Sequence, residues 1–263
     1  MPADVIDFEV IGDDLQAVVV TLDPGEAVMA EAGAMMFMED GVAMATQLSM
    51  NDRAGGVFGK LFEAGKRVLT GESFFITMFA NESRERRAVG FAAPYPGHVV
   101  PMDLREVGGE ILCQKDAFLC AARGIDVDIA FTKRFGAGLF GGEGFILQRL
   151  RGDGLAILHA GGSIIEKRLN PGETLRVDTG CLVAFEPSVD YSVEMTPGVR
   201  NKLFGGEGLF FAKMRGPGRV WMQTLPFSRL AGRMMAAAGA YGGQNRGEGS
   251  VLGGFGDLIG GNR

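Results

Sequence analysis

Phe204-Gly205-Gly206-Glu207-Gly208-Leu209-Phe210-Phe211 repeats an element already present as Phe140-Gly141-Gly142-Glu143-Gly144-Phe145-Ile146-Leu147, and Gly71-Glu72-Ser73-Phe74-Phe75-Ile76 is a third, looser version of it. Each follows a second shared element, a Gly-Glu turn with a small side chain several residues later. That element reads Leu22-Asp23-Pro24-Gly25-Glu26 with Gly33, Gly108-Gly109-Glu110 with Ala117, and Leu169-Asn170-Pro171-Gly172-Glu173 with Gly180. Two elements recurring three times in one order predict three copies of one supersecondary unit, none of which buries its apolar face alone. The expected units are residues 5–95, 96–160 and 161–228.

The fold class follows from what lies between these markers. Leu15 to Leu22, Phe74 to Phe79, Phe145 to Leu150, Leu155 to Ala160, Leu209 to Met214 and Arg219 to Thr224 are short apolar or alternating runs bounded by Gly, Pro or Asp, so they read as strands. Arg151-Gly152-Asp153-Gly154 and Arg215-Gly216-Pro217-Gly218 each join two such runs, which predicts hairpins. The chain is therefore expected to be all-β, with three short β-helix or sandwich units in a pseudo-threefold arrangement. The first copy is longer than the others by about a dozen residues between Thr46 and Thr70. There Val57, Phe58, Leu61, Phe62 and Leu69 fall near helical spacing, predicting a short helical insertion. After Pro226, Leu230, Met234 and Met235 predict one or two helical turns within residues 229–263, and a Gly-rich tail closes the chain.

Composition fits a chain that packs its units together. Of 263 residues, 46% are hydrophobic, enough to bury a core that no single unit could build. No apolar run reaches membrane-spanning length, and Met1-Pro2-Ala3-Asp4 lacks the basic start of a signal peptide, so a cytoplasmic protein is expected. Cys113, Cys120 and Cys181 show neither disulfide nor zinc spacing and read as buried thiols.

Catalytic raw material is sparse. The two histidines, His98 and His159, are far apart in sequence, and His159 sits in an apolar run whose counterpart in the third copy carries Gln223. The spacing Gly136-Ala137-Gly138-Leu139-Phe140-Gly141 matches a dinucleotide-binding fingerprint but leads into a strand rather than a helix. The polar set that tracks the repeat is Glu26, Glu110 and Glu173 with Glu72, Glu143 and Glu207. Six carboxylates around an axis would suit a hard cation. A Glu beside a Gly turn also accepts backbone N–H groups or pairs with Arg or Lys of the next unit, and that is the reading expected here. No cofactor, metal or catalytic residue is therefore assigned.

Lys202-Leu203-Phe204-Gly205-Gly206-Glu207-Gly208, following a Pro-Gly-Glu turn and a small residue, resembles the mitochondrial-biogenesis family related to the altered-inheritance-of-mitochondria protein, over roughly residues 5 to 230. The resemblance implies a fold similar to the tryptophan RNA-binding attenuation protein and chains that assemble as trimers. It supplies no catalytic residues. A non-enzymatic scaffold or binding module is the function expected, with an unrecognised enzyme or an RNA-binding ring as alternatives. A formal net charge of −6 argues against a phosphate-binding surface. The segments before the second element carry apolar and basic residues in every copy: Phe58, Lys60, Phe62 and Lys66; Lys133, Arg134 and Phe140; Lys202 and Phe204. They are the candidate binding residues, suited to an anionic membrane surface or an acidic protein partner.

Overall fold

The computed structural model describes residues 2–31, 33–48, 75–133, 145–195 and 210–242. The first 226 residues form one compact β unit, and the remainder forms a second. The expected helical insertion around Val57 to Leu69 and the Gly-rich tail lie outside the described residues.

The predicted strands are present, with others that the pattern alone did not single out. In chain order they are β1 (Asp7–Ile11), β2 (Ala17–Leu22), β3 (Ala27–Glu31), β4 (Met35–Met38), β5 (Val42–Leu48), β6 (Phe75–Asn81), β7 (Arg87–Ala92), β8 (Gly97–Asp103), β9 (Glu110–Gln114), β10 (Phe118–Ala122), β11 (Asp126–Lys133), β12 (Phe145–Arg151), β13 (Leu155–Gly161), β14 (Ile164–Leu169), β15 (Thr174–Asp178), β16 (Leu182–Phe185), β17 (Asp190–Met195), β18 (Phe210–Arg215) and β19 (Gly218–Gln223). Alternation sets the simple cases. In β2, Val18, Val20 and Leu22 are buried while the residues between them face outward. In β10 all five residues of Phe-Leu-Cys-Ala-Ala are buried, as expected of a strand covered on both faces.

All ladders are antiparallel and form four sheets, in the orders β1-β2-β7-β4, β5-β6-β3-β10-β13-β8, β11-β12-β9-β16-β19-β14 and β15-β18-β17. Three apolar cores lie between successive sheets. Val18, Val20, Phe79, Phe91 and Leu119 fill the space between the first and second. Met29, Phe118, Ile111, Leu150 and Trp221 fill that between the second and third. Leu147, Phe185, Val177, Ala212 and Met214 fill that between the third and fourth. Neighbouring residues of one strand serve different cores: Val28 and Ala30 face one, Met29 the other. The two six-stranded sheets are thus apolar on both faces.

The Gly-rich links after β12 and β18 correct the hairpin expectation. β12 and β13 belong to different sheets, as do β18 and β19, so each link is an arch that carries the chain across a core. The reason is burial. The second strand of each pair is itself a central strand, held on both sides by β10 and β8 or by β16 and β14, so no edge of it is left for its predecessor.

The arches are clasped by the turns that carry the first repeated element. The N–H of Asn81 donates to the Glu26 carbonyl at 2.9 Å, that of Gly152 to Gly109 at 3.0 Å and that of Gly216 to Glu173 at 2.9 Å. Gly25, Gly109 and Gly172 all have φ near +80°, where a side chain is strained. In the first arch Asn81, 1% exposed, adds an interior scaffold: its amide donates to the carbonyls of Leu22 and Glu85, and its oxygen accepts from Ser83.

The second unit contains one helix, α1 (Phe227–Gly242), longer than the one or two turns expected. Pro226 precedes it, and Ala236, Ala237 and Ala238 continue it past the apolar positions that mark its face.

Candidate functional site

Three long connections join β5 to β6, β11 to β12 and β17 to β18, and they hold the candidate binding residues. Phe58, Lys60, Phe62, Lys66, Arg134, Phe140, Lys202 and Phe204 lie outside the described residues, as do Gly71, Glu72, Gly142, Glu143, Gly206 and Glu207. Lys133 is the last residue of β11. What the described strands fix is where these connections begin and end. Glu31 of β3 is opposite Ile76 near the start of β6, and β10 lies alongside β3 with Phe118 opposite Leu158 in the middle of β13. The arch returns β13 to the level of the start of β12. Across the next junction Gln114 of β9 is opposite Leu147, and Leu182 of β16 is opposite Met222 near the end of β19. The register therefore puts the starts of β6, β12 and β18 at one end of the sheets, and the clasped arches at the other.

Burial also gathers a polar group at that same end. His159, 1% exposed, has no hydrogen-bond partner on either ring nitrogen among the described residues. Its ring meets Tyr95 edge to face with centroids 4.7 Å apart. Burial, with a smaller contribution from His98, lowers its pKa to about 4, so it is neutral near pH 7. Gly97 makes room for it, since a Cβ there would stand 2.6 Å from Nε2. His98 Nδ1 sits 2.6 Å from the Gly162 carbonyl. Gln223 accepts from the Gly161 N–H at 2.7 Å and donates to the Gly180 carbonyl at 2.8 Å, tying β13, β19 and the turn before β16 together. Burial raises the Tyr95 phenol and the thiols of Cys113 and Cys120 well above their ordinary values, so none ionises near neutrality. Cys181, expected to be buried, is only half-buried because it closes a tight turn rather than lying in a strand.

The turn carboxylates have local partners. Glu26 accepts from the Asp23 N–H and Glu173 from the Asn170 N–H, both at 2.9 Å, closing the same four-residue turn. Glu110 pairs with Arg149 at 3.0 Å and Arg151 at 3.1 Å, both on β12 beside its own strand rather than in the next unit. Among the described residues no group of three or more His, Cys, Asp or Glu side chains is placed to hold a metal ion. Among the described residues no helix is long and apolar enough to cross a membrane.

Stacked antiparallel sheets, with the strand ends that flank the long connections at one end and clasped turns at the other, define an all-β protein. The model of the Mitochondrial biogenesis AIM24 family matches residues 8–225, and the chain belongs to that family. It is 28% identical over 217 residues to an uncharacterised protein of Streptococcus pyogenes serotype M6, covering 82% of this chain and 84% of that one. It also superposes with a TM-score of 0.68 on a Streptococcus pyogenes protein known from its X-ray crystal structure, at 24% identity, covering 88% of this chain and 99% of that chain.

Proposed function

We propose that this protein is a non-enzymatic binding scaffold, built of three copies of one six-strand unit, that presents apolar and basic connections at one end to an anionic membrane surface. The units are β2–β7, β8–β13 and β14–β19. In each, the first and third strands pair with the sixth, and the second and fourth pair with the fifth. The boundary expected at residue 160 falls one residue inside β13.

The observation that carries the proposal is the common end of the strands flanking the three connections. Repeat-equivalent segments anchored side by side add their charges, and a basic, apolar patch on an acidic protein selects an anionic surface. Each Lys or Arg near such a surface is worth about 1 kcal/mol, so reversing three charges weakens binding by several orders of magnitude. Two observations support the non-enzymatic part: His159 is enclosed and neutral, and Cys113 and Cys120 are buried thiols.

Vesicle flotation tests it. Wild-type protein is expected to float with vesicles containing phosphatidylserine and not with neutral phosphatidylcholine, and a Lys60→Glu, Lys133→Glu, Lys202→Glu variant to stay at the bottom with both. Equal behaviour of the two proteins on anionic vesicles removes the membrane reading.

A further inference from the structure

The residues of α1 divide by chemistry around its axis. Phe227, Leu230, Ala231 and Met234 follow one another at three- and four-residue steps, so at about 3.6 residues per turn they form one apolar stripe, with Met235 at its flank. Arg229 and Arg233 are one turn apart on the other side, and they are the only charged residues of the helix. No Asp or Glu occurs between Phe227 and Gly242, on a chain whose formal net charge is −6.

The stripe is open. Phe227, Met234 and Met235 are 50%, 62% and 75% exposed, while Leu230 and Ala231 are half-buried. A helix that packs onto a core buries such a stripe. Sixteen residues are also too few to cross a bilayer, which takes about 20. An amphipathic helix with an apolar face and basic side chains opposite it lies instead in the plane of a membrane interface. The place where the chain enters α1 points to the same surface. β19 ends at Gln223, and the N–H groups of Thr224 and Leu225 donate to the Ser163 and Gly161 carbonyls at 3.1 Å and 3.0 Å. The chain is thus held at the end of β13 up to Leu225. Leu182 of β16, opposite Met222, puts that exit at the end of the sheets where β6, β12 and β18 begin.

We infer that α1 is an interfacial helix, which lays Phe227, Leu230, Met234 and Met235 into the acyl boundary of an anionic bilayer while Arg229 and Arg233 reach headgroup phosphates. Charge complementarity selects this occupant: a helix with two cations and no anion, on an acidic protein, is drawn to a negative surface and not to a neutral one. Arginine has the length to bend its charged end toward the headgroups from the side of such a helix, and its guanidinium makes paired hydrogen bonds to a phosphate. Peripheral anchoring is stable when an apolar insertion and basic side chains act together, and α1 supplies both. Its role rests on the reading of the connection end as the membrane-facing one, but it places the apolar insertion in a separate element with its own readout.

A polarity-sensitive dye on the helix tests it in the full chain. In a Cys181→Ser background the remaining thiols, Cys113 and Cys120, are buried and do not label. The dye is placed on Met234→Cys in the stripe or on Gly232→Cys, on the other side of the helix. Its emission at Met234→Cys is expected to shift to the blue with vesicles containing phosphatidylserine and not with phosphatidylcholine, and at Gly232→Cys to stay as in water. Arg229→Gln with Arg233→Gln is expected to raise the lipid concentration at half-maximal shift about 30-fold, a factor of about five for each cation. No shift at Met234→Cys on vesicles with which the protein floats would overturn the inference, make a protein surface the occupant of the stripe and leave the connections as the membrane contact. Equal shifts on neutral and anionic vesicles would overturn it as well. Conversely, if the Lys60→Glu, Lys133→Glu, Lys202→Glu variant floats like wild type while the dye shifts, the connections fail as the contact and α1 stands.

Discussion

Replacing Phe118 by Ala lowers the free energy of unfolding by about 3–5 kcal/mol, the range for deleting a fully enclosed aromatic side chain. Phe118 is 1% exposed and lies in the core between the two central sheets, with Ala121, Leu158 and Trp221 in the same cluster. It opens β10, a central strand held between β3 and β13. The cavity forms between sheets that are fixed on both faces, so little collapse is available to offset it. Urea unfolding followed by Trp221 fluorescence measures the loss directly, because the indole packs on the same core. Phe37→Ala, on the exposed edge, provides the contrast in isolated chains and is expected to cost under about 1 kcal/mol. A loss below about 1 kcal/mol for Phe118→Ala would mean that the central core is not the one that holds the units together.

Between pH 6.5 and pH 4 the protein loses about 3 kcal/mol of stability through His159 alone, at 1.36 kcal/mol for each unit of pKa difference. The folded state holds this imidazole neutral, with a pKa of about 4, against an ordinary value of 6.5. The unfolded chain therefore takes up a proton that the folded chain refuses. The contribution is fully present above pH 6.5, declines as pH falls and levels off below pH 4. At pH 5 the linkage amounts to about 2 kcal/mol. His159→Gln isolates it from the carboxylates that titrate over the same range, since Gln223 occupies the matching place at the end of β19. The variant is expected to show a shallower pH dependence by that amount in paired chemical denaturation series. Parallel curves for wild type and variant would show that His159 is not held neutral.

The fold was legible in the sequence where a residue type has one physical use. Gly25, Gly109 and Gly172 mark the turns because the backbone there takes positive φ, and the Glu beside each marks a turn closure or a strand-side ion pair. Apolar runs such as Leu155 to Ala160 announce central strands. What the sequence does not carry is the sheet to which each strand goes. Arg151-Gly152-Asp153-Gly154 has the composition of a hairpin turn, and whether it makes a hairpin or an arch depends on partners supplied by β8 and β10, far away along the chain. The short strands β9 and β16 have no signal for a related reason: four or five residues buried on two faces show no alternation. The burial of His159 is legible in its apolar run. Its enclosure by Tyr95 and Gly97 has no sequence signal, because these residues meet it from another strand and the loop before it.

Light scattering on the purified protein at micromolar concentration is the most direct test of a scaffold that works as an assembly of copies. A homotrimer, the assembly that the family resemblance implies, is the expected result, a particle three times the 27.9 kDa mass of the chain. A mass of 27.9 kDa would contradict it.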